Sequence, residues 1–138
     1  MHWTSDINCE LPIKMAEKGL ASEVKPDIIP MQMIRTAAMR GDAPSMRVMR
    51  NNREYMWTWN EYYNDILSFA KGLAHLGIDE RKAINIMGFN APEWAIAFYG
   101  SVFHNNVVSG VYITNGPAAC QYQAHHSEAQ VIVVDTEE

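Results

Sequence analysis

The fold of this chain is decided by residues 83–135, which read AINIMGFNAPEWAIAFYGSVFHNNVVSGVYITNGPAACQYQAHHSEAQVIVVD. Three short apolar runs alternate there with two segments of helical character, and each helical segment opens on a proline, Pro92 or Pro117. Proline is favoured at the first helical position because its missing N–H would have no partner there. The apolar runs do not alternate with polar residues, which is typical of strands covered on both faces by crossover helices.

The stretch therefore predicts an α/β fold built on a parallel βαβαβ unit with right-handed crossovers. The predicted strands are residues 83–88, 107–113 and 131–135, and the predicted helices are residues 92–104 and 117–127.

Three further elements are predicted before this unit. A helix over about residues 30–40 opens on Pro30 and stops before Gly41. Alternating residues predict a hairpin of strands 46–50 and 54–57, with Asn51-Asn52 in the turn. Thr58 and Glu61 then form a capping box at the start of a helix that ends at Gly77.

Three blocks of sequence within this frame carry a resemblance to a known enzyme family. They are Gly88-Phe89-Asn90-Ala91-Pro92-Glu93-Trp94, Gly110-Val111-Tyr112-Ile113-Thr114-Asn115 and Ala119-Cys120-Gln121-Tyr122. Tyr62-Tyr63 and Trp3-Thr4 extend the likeness over nearly the whole chain. In this order the blocks resemble the N-terminal part of a long-chain acyl-CoA synthetase of the bubblegum type, a member of the AMP-binding, adenylate-forming superfamily.

The resemblance implies a fold, an activity and a set of ligands. Residues 27–138 would be an incomplete N-terminal part of the AMP-binding domain, and residues 1–26 an arm before it. Enzymes of this family activate a long-chain fatty acid with ATP and Mg²⁺ to an acyl-adenylate and pass the acyl group to coenzyme A. Their Ser/Thr/Gly-rich phosphate loop with its lysine is not found in this sequence. We therefore predict no catalytic, cofactor-binding or metal-binding residue here, no activity for these 138 residues alone, and the remainder of the domain as a partner.

The candidate site residues lie where two of the predicted strands turn into helices. Both turns fall at the carboxyl edge of the sheet, the usual ligand side of an open α/β fold. We expect Asn90, Trp94, Thr114 and Asn115 to form part of a substrate pocket wall. The alternative is that Gly88 and Asn90 only shape their turn and that Trp94 packs in the core. A phosphate at the helix start is a weaker interpretation, because the turn has one glycine and no lysine.

Composition limits the remaining classes of function. The net charge of -5 argues against a nucleic-acid partner. Cys9 and Cys120 suggest neither a disulfide framework nor a zinc site. The sequence shows no signal peptide and no apolar run of about 20 residues, so the expected location is the cytoplasm. Arginines 35, 40, 47, 50 and 53 form a solvated face or, alternatively, a peripheral contact with an intracellular membrane.

Three functional hypotheses remain open at this point. The chain is an N-terminal fragment of an ATP-dependent long-chain fatty acid–CoA ligase, a shortened non-catalytic protein that binds or regulates its relatives, or an unrelated small nucleotide-binding α/β domain.

Overall fold

The structure, a computed structural model, describes residues 6, 9, 10, 12 and 15–135. Trp3-Thr4, part of the predicted arm and the last three residues lie outside the described residues. In the described part of the arm, Leu20–Glu23 forms a single exposed helical turn, α1. The domain boundary after residue 26 stays a prediction.

The predicted elements are all present, with small differences at their ends. In chain order they are α2 (Ile29–Arg40), β1 (Pro44–Arg50), β2 (Arg53–Thr58), α3 (Trp59–His75), β3 (Ala83–Met87), α4 (Pro92–Phe103), β4 (Val107–Val111), α5 (Pro117–His126) and β5 (Ala129–Val134). The strand β4 ends before its predicted bound at Ile113, because the chain turns there: the Asn115 N–H donates to the Tyr112 carbonyl at 3.0 Å.

The three-stranded sheet is parallel, in the order β4-β3-β5. Met87, the last residue of β3, pairs with Val111 of β4 and Val134 of β5. Met87 contacts Cys120 of α5 at 3.9 Å, whereas Gly110, which pairs with the preceding residue of β3, lies beside Trp94 of α4. Successive residues of a strand point to opposite faces, so α4 and α5 cover opposite faces of the sheet. The predicted α/β architecture is confirmed.

The helix α3 has the termini that its sequence predicts. The Thr58 hydroxyl accepts from the Glu61 N–H at 3.2 Å, and the Thr58 N–H donates to the Glu61 carboxylate at 2.8 Å. These bonds hold the pKa of Glu61 below its usual range. At the other end Gly77 is left-handed, with φ 71°, and the Ile78 N–H donates to the Leu73 carbonyl at 3.1 Å. Both ends of the helix are therefore satisfied by local hydrogen bonds.

The core lies between α2, α3 and α4. Its centre is formed by Met33, Tyr62 and Ile66, all of them buried. Burial raises the pKa of the Tyr62 phenol. The helices α3 and α4 approach closely at Gly100, where an added Cβ would lie 2.7 Å from Phe69 Cδ1. Hydrophobic contact therefore joins the two helices into one layer on the α4 face of the sheet.

The hairpin is a separate two-stranded antiparallel sheet. Asn51 and Asn52 both have positive φ, 50° and 58°, as the predicted turn requires. A register shift between Pro44 and Met46 marks a bulge at the base of β1. Within the described part of the chain, we find no helix with the length and apolar character needed to cross a membrane.

Candidate functional site

A cleft of about 370 Å³ opens where β3 and β5 end, at the carboxyl edge of the sheet. Apolar side chains form most of its wall: Ile86, Met87, Phe89, Trp94, Val133 and Val134. Three charged residues complete the lining, namely Arg50 from the hairpin, Glu93 from α4 and Asp135 after β5. The cleft is therefore apolar inside and charged at its edge.

Arg50 and Glu93, which both line the cleft, form a bidentate ion pair. Arg50 Nη1 donates to Glu93 Oε1 at 2.8 Å, and Nη2 donates to Oε2 at 2.6 Å. Glu93 lies in the first turn of α4, where the helix dipole also favours a negative charge. The hydrogen bonds from Arg50 hold the pKa of Glu93 below its usual range, and the same bonds raise the pKa of Arg50. Both side chains remain about half exposed.

Asp135 explains the glycine at the end of β3. Its Oδ2 accepts from the Phe89 N–H at 3.4 Å, and a Cβ added to Gly88 would lie 3.3 Å from Asp135 Cβ. A side chain at residue 88 would press on the aspartate, so the glycine leaves room for it. A carboxylate beside this amide repels a second anion, so the geometry disfavours a phosphate at the turn.

The four predicted wall residues lie at the same edge of the sheet but in different places. Trp94 lines the cleft, where its ring stacks on Phe98 with centroids 5.9 Å apart. Asn90 lines a second, shallower groove of about 300 Å³ between β1 and the start of α4. Thr114 is exposed, and Asn115 donates to the Gln123 side chain at 3.1 Å.

The cleft opens between β3 and β5, whereas Thr114 and Asn115 follow β4 on the other side of β3. Of the four residues, the structure places Trp94 alone in this cleft.

Sequence reasoning did not select Arg50, Glu93 or Asp135. Glu93 is part of the first sequence block that carries the resemblance, but nothing in a single sequence pairs it with an arginine 43 residues earlier. Asp135 follows an apolar strand, which is a signal for a site at the sheet edge. The sequence alone could therefore have indicated Asp135 as a site residue.

The arginine-rich region is largely neutralised by neighbouring carboxylates. Arg35 pairs with Asp27, Arg47 with Glu54, and Arg50 with Glu93. Arg53 lies over the ring of Tyr55, 5.3 Å from its centroid. These partners favour the solvated face over a contact with anionic lipid, which remains a prediction. Across residues 15–135 and the few described before them, no cluster of His, Cys, Asp and Glu is arranged to hold a metal ion.

Comparison with known proteins identifies relatives of this chain. A family model described as AMP-binding enzyme matches residues 34–138. The long-chain-fatty-acid–CoA ligase ACSBG2 of Gallus gallus is 31% identical over 133 residues, which make up 96% of this chain and 17% of that protein. ACSBG1 of Rattus norvegicus, with the same activity in its name, is 38% identical over 97 residues, or 70% of this chain and 14% of that protein. The chain thus spans less than a fifth of the length of either ligase.

Solved structures match the fold at lower identity. VinN in complex with L-aspartate superposes with a TM-score of 0.73 at 14% identity, over 80% of this chain and 30% of that one. The N-terminal subdomain of NpsA from Klebsiella oxytoca gives a TM-score of 0.68 at 14% identity, over 80% of this chain and 28% of that one. This likeness concerns the fold alone.

Proposed function

This chain belongs to the family of AMP-binding enzymes, and on that premise we propose that it is the N-terminal part of an ATP-dependent long-chain fatty acid–CoA ligase. In this proposal the 138 residues supply scaffold and one wall of the acyl site. ATP, Mg²⁺ and coenzyme A bind to other parts of the complete enzyme. Family membership removes the hypothesis of an unrelated nucleotide-binding domain.

The observation that carries the proposal is the joint match to the family model and to the two ligases. The likeness of the fold to the N-terminal subdomain of NpsA supports the position within the domain. The names of the two relatives give long-chain fatty acids as the substrate class, and we propose the same class for this chain.

The chemistry of the cleft agrees with an acyl wall and disagrees with a triphosphate site. Its walls are apolar, and its charged groups are one guanidinium and two carboxylates, on Arg50, Glu93 and Asp135. The guanidinium is already engaged by Glu93. Phosphoryl groups need backbone amides, a lysine or a metal ion to offset their charge, and the cleft presents a surplus of negative charge instead. We propose Trp94 as the wall residue within the cleft, and Asn90, Thr114 and Asn115 as wall residues further along the same edge.

The test compares the chain alone with the chain in a complete enzyme. The matching segment of the Rattus norvegicus ligase is replaced by this chain, and pyrophosphate exchange is measured with palmitate, ATP and Mg²⁺. We expect exchange from the chimera and none from the 138-residue polypeptide. Exchange by the polypeptide alone would contradict the assignment of adenylation chemistry to other parts of the enzyme. A folded but inactive chimera would support the non-catalytic hypothesis.

A matched pair of variants tests the acyl wall within that chimera. Trp94→Leu removes an aromatic wall from the cleft and should raise the KM for palmitate about tenfold, the scale of a changed apolar contact, with the KM for ATP unchanged. Tyr122→Leu removes an exposed aromatic ring from α5 instead, and we expect it to leave both constants as they are. Equal effects of the two variants would argue against Trp94 as a wall residue.

A further inference from the structure

The base of the β1–β2 hairpin is held firmly to the helical layer. Met46 and Trp57, which pair with each other, pack against the cluster of Met33, Tyr62 and Ile66. The Trp57 indole N–H also donates to the Asp65 carboxylate at 2.9 Å. Apolar contact and a part-buried hydrogen bond therefore fix this end of the hairpin.

The tip of the hairpin, residues 49–54, is held differently. Met49 is 62% exposed, and the two strands pair only with each other within the described part of the chain. A groove of about 300 Å³ lies before the tip, between residues 46–48 of β1 and the turn at Asn90–Pro92. Among the polar contacts of the described residues, the tip reaches the rest of the fold through the Arg50–Glu93 pair.

Arg50 and Glu93 also line the cleft. The contact that ties the tip of the hairpin to the first turn of α4 is thus also part of the lining of the cleft. Separation of the two side chains would open the cleft toward Ile86 and Val133.

We propose that the β1–β2 hairpin is a lid over this cleft and that the Arg50–Glu93 pair is its latch. Within the described part of the chain the two strands pair only with each other, and a lone two-stranded hairpin is only marginally stable, so the strands can bend between the Met46–Trp57 pair and the turn. The lid opens by movement of the tip while Met46 and Trp57 stay in the core.

A half-exposed ion pair suits this role because its strength is modest. Two exposed charged side chains gain little in water and are screened by salt. The latch therefore closes the cleft without making opening slow or rare. A buried apolar contact at the same place would hold the lid permanently.

The inference goes beyond the proposed function because it concerns a movement that needs no substrate or nucleotide. It is tested on the 138-residue chain by hydrogen exchange with mass spectrometry. The latch variants are Arg50→Gln, Glu93→Gln and the exchanged pair Arg50→Glu with Glu93→Arg. Arg47→Gln is the matched control, because the ion pair of Arg47, with Glu54, lies inside the hairpin.

Peptides over residues 86–94 and 131–135 report the cleft, and a peptide over residues 49–54 reports the tip. We expect each single latch variant to speed exchange in all three peptides about two- to fivefold, the range that an exposed ion pair provides. The exchanged pair should return the rates toward those of the unaltered chain. The control should change the tip peptide at most and leave both cleft peptides unaltered.

Unchanged cleft peptides in both single variants would overturn the proposal, as would a control that affects the cleft equally. If a single variant unfolds, the exchanged pair still tests the proposal. A double variant that folds but whose cleft peptides still exchange faster than those of the unaltered chain would contradict a latch. None of these outcomes depends on ligase activity, so failure here is separate from failure of the proposed function.

Discussion

The two faces of the central sheet are covered very differently. On the α4 face, Ile84 and Ile86 are at most 2% exposed, and Ile66 of α3 is fully buried behind them. On the α5 face, Ile132 and Val134 of β5 are 51% and 54% exposed. Yet the strands supply aliphatic side chains to both faces.

The difference comes from the layer behind each crossover helix. The helix α4 is backed by α3, whose close approach at Gly100 leaves no gap between them. The helix α5, in contrast, has no buried residue. Burial of a strand residue thus depends on the helices that cover its face and on whether its strand is central or at the edge, since Asn85 of the central strand β3 is fully buried on the α5 face. Stability should therefore be concentrated on the α4 face.

The largest effect that tests this contrast comes from removing one isoleucine on each face. Ile66→Ala should lower the free energy of unfolding by about 2–5 kcal/mol, because it leaves a cavity in a closed core. Ile132→Ala should cost less than about 1 kcal/mol, since its side chain is half in water already. Urea unfolding of the chain followed by circular dichroism measures both. Similar losses for the two variants would show that the α5 face is closed in solution.

The second test adds a methyl group at two helical glycines. Gly100→Ala places a Cβ 2.7 Å from Phe69 Cδ1 and should destabilise by about 1–3 kcal/mol through overpacking. Gly72→Ala, in α3, meets no atom within 4 Å and should stabilise by up to about 1 kcal/mol through helix propensity. The change in thermal midpoint should have opposite signs in the two variants. A gain for Gly100→Ala would mean that α3 and α4 are not in close contact.

Local sequence signals were sufficient to predict the elements and their order. Thr58 with Glu61, Asn51 with Asn52, and Gly77 each act within a few residues of themselves, so the sequence alone places them. The parallel sheet also followed, because runs of apolar residues separated by helices leave few topologies.

Features that depend on contacts between residues distant in the sequence could not be predicted from it. Asn85 interrupts the first apolar run yet is fully buried, with its amide donating to the Ser127 hydroxyl at 3.1 Å. Leu76 follows the buried Leu73 at helical spacing but is 68% exposed, because it lies past the last turn of α3. The pair of Arg50 with Glu93 has the same origin, because the two residues meet only through tertiary structure. For that reason the sequence selected Trp94 within the cleft but missed this ion pair.

A third prediction compares the two helices of the α4 face at their starts. Thr58→Ala removes the capping box of α3 and should cost about 1 kcal/mol of unfolding free energy. Ala91 caps α4 without a side-chain hydrogen bond, so Ala91→Ser should gain up to about 1 kcal/mol. Chemical denaturation of the two variants measures both changes. A loss on Ala91→Ser would indicate that the serine hydroxyl does not form a hydrogen bond with an amide of the first turn.

The smallest expected effect is the pH dependence of the stability that Glu93 contributes at the edge of the α4 face. The hydrogen bonds from Arg50 lower the pKa of Glu93 in the folded chain. A group whose folded pKa is lowered contributes stability above its unfolded pKa and loses it as the pH falls through the folded value. The ordinary value for glutamate is about 4.3, so the contribution is present at neutral pH and disappears in acid below that value.

Titration of the Glu93 side-chain carbon by NMR should therefore give a lower midpoint in the unaltered chain than in Arg50→Gln. Arg47→Gln, which removes a pair confined to the hairpin, should leave the Glu93 midpoint in place. Because both partners are half exposed, added salt should bring the midpoints of the unaltered chain and Arg50→Gln closer together. A Glu93 midpoint that ignores both Arg50 and salt would mean that the two side chains are apart in solution. The hairpin tip would then be free, and the well-packed core on the α4 face would end at Met46 and Trp57.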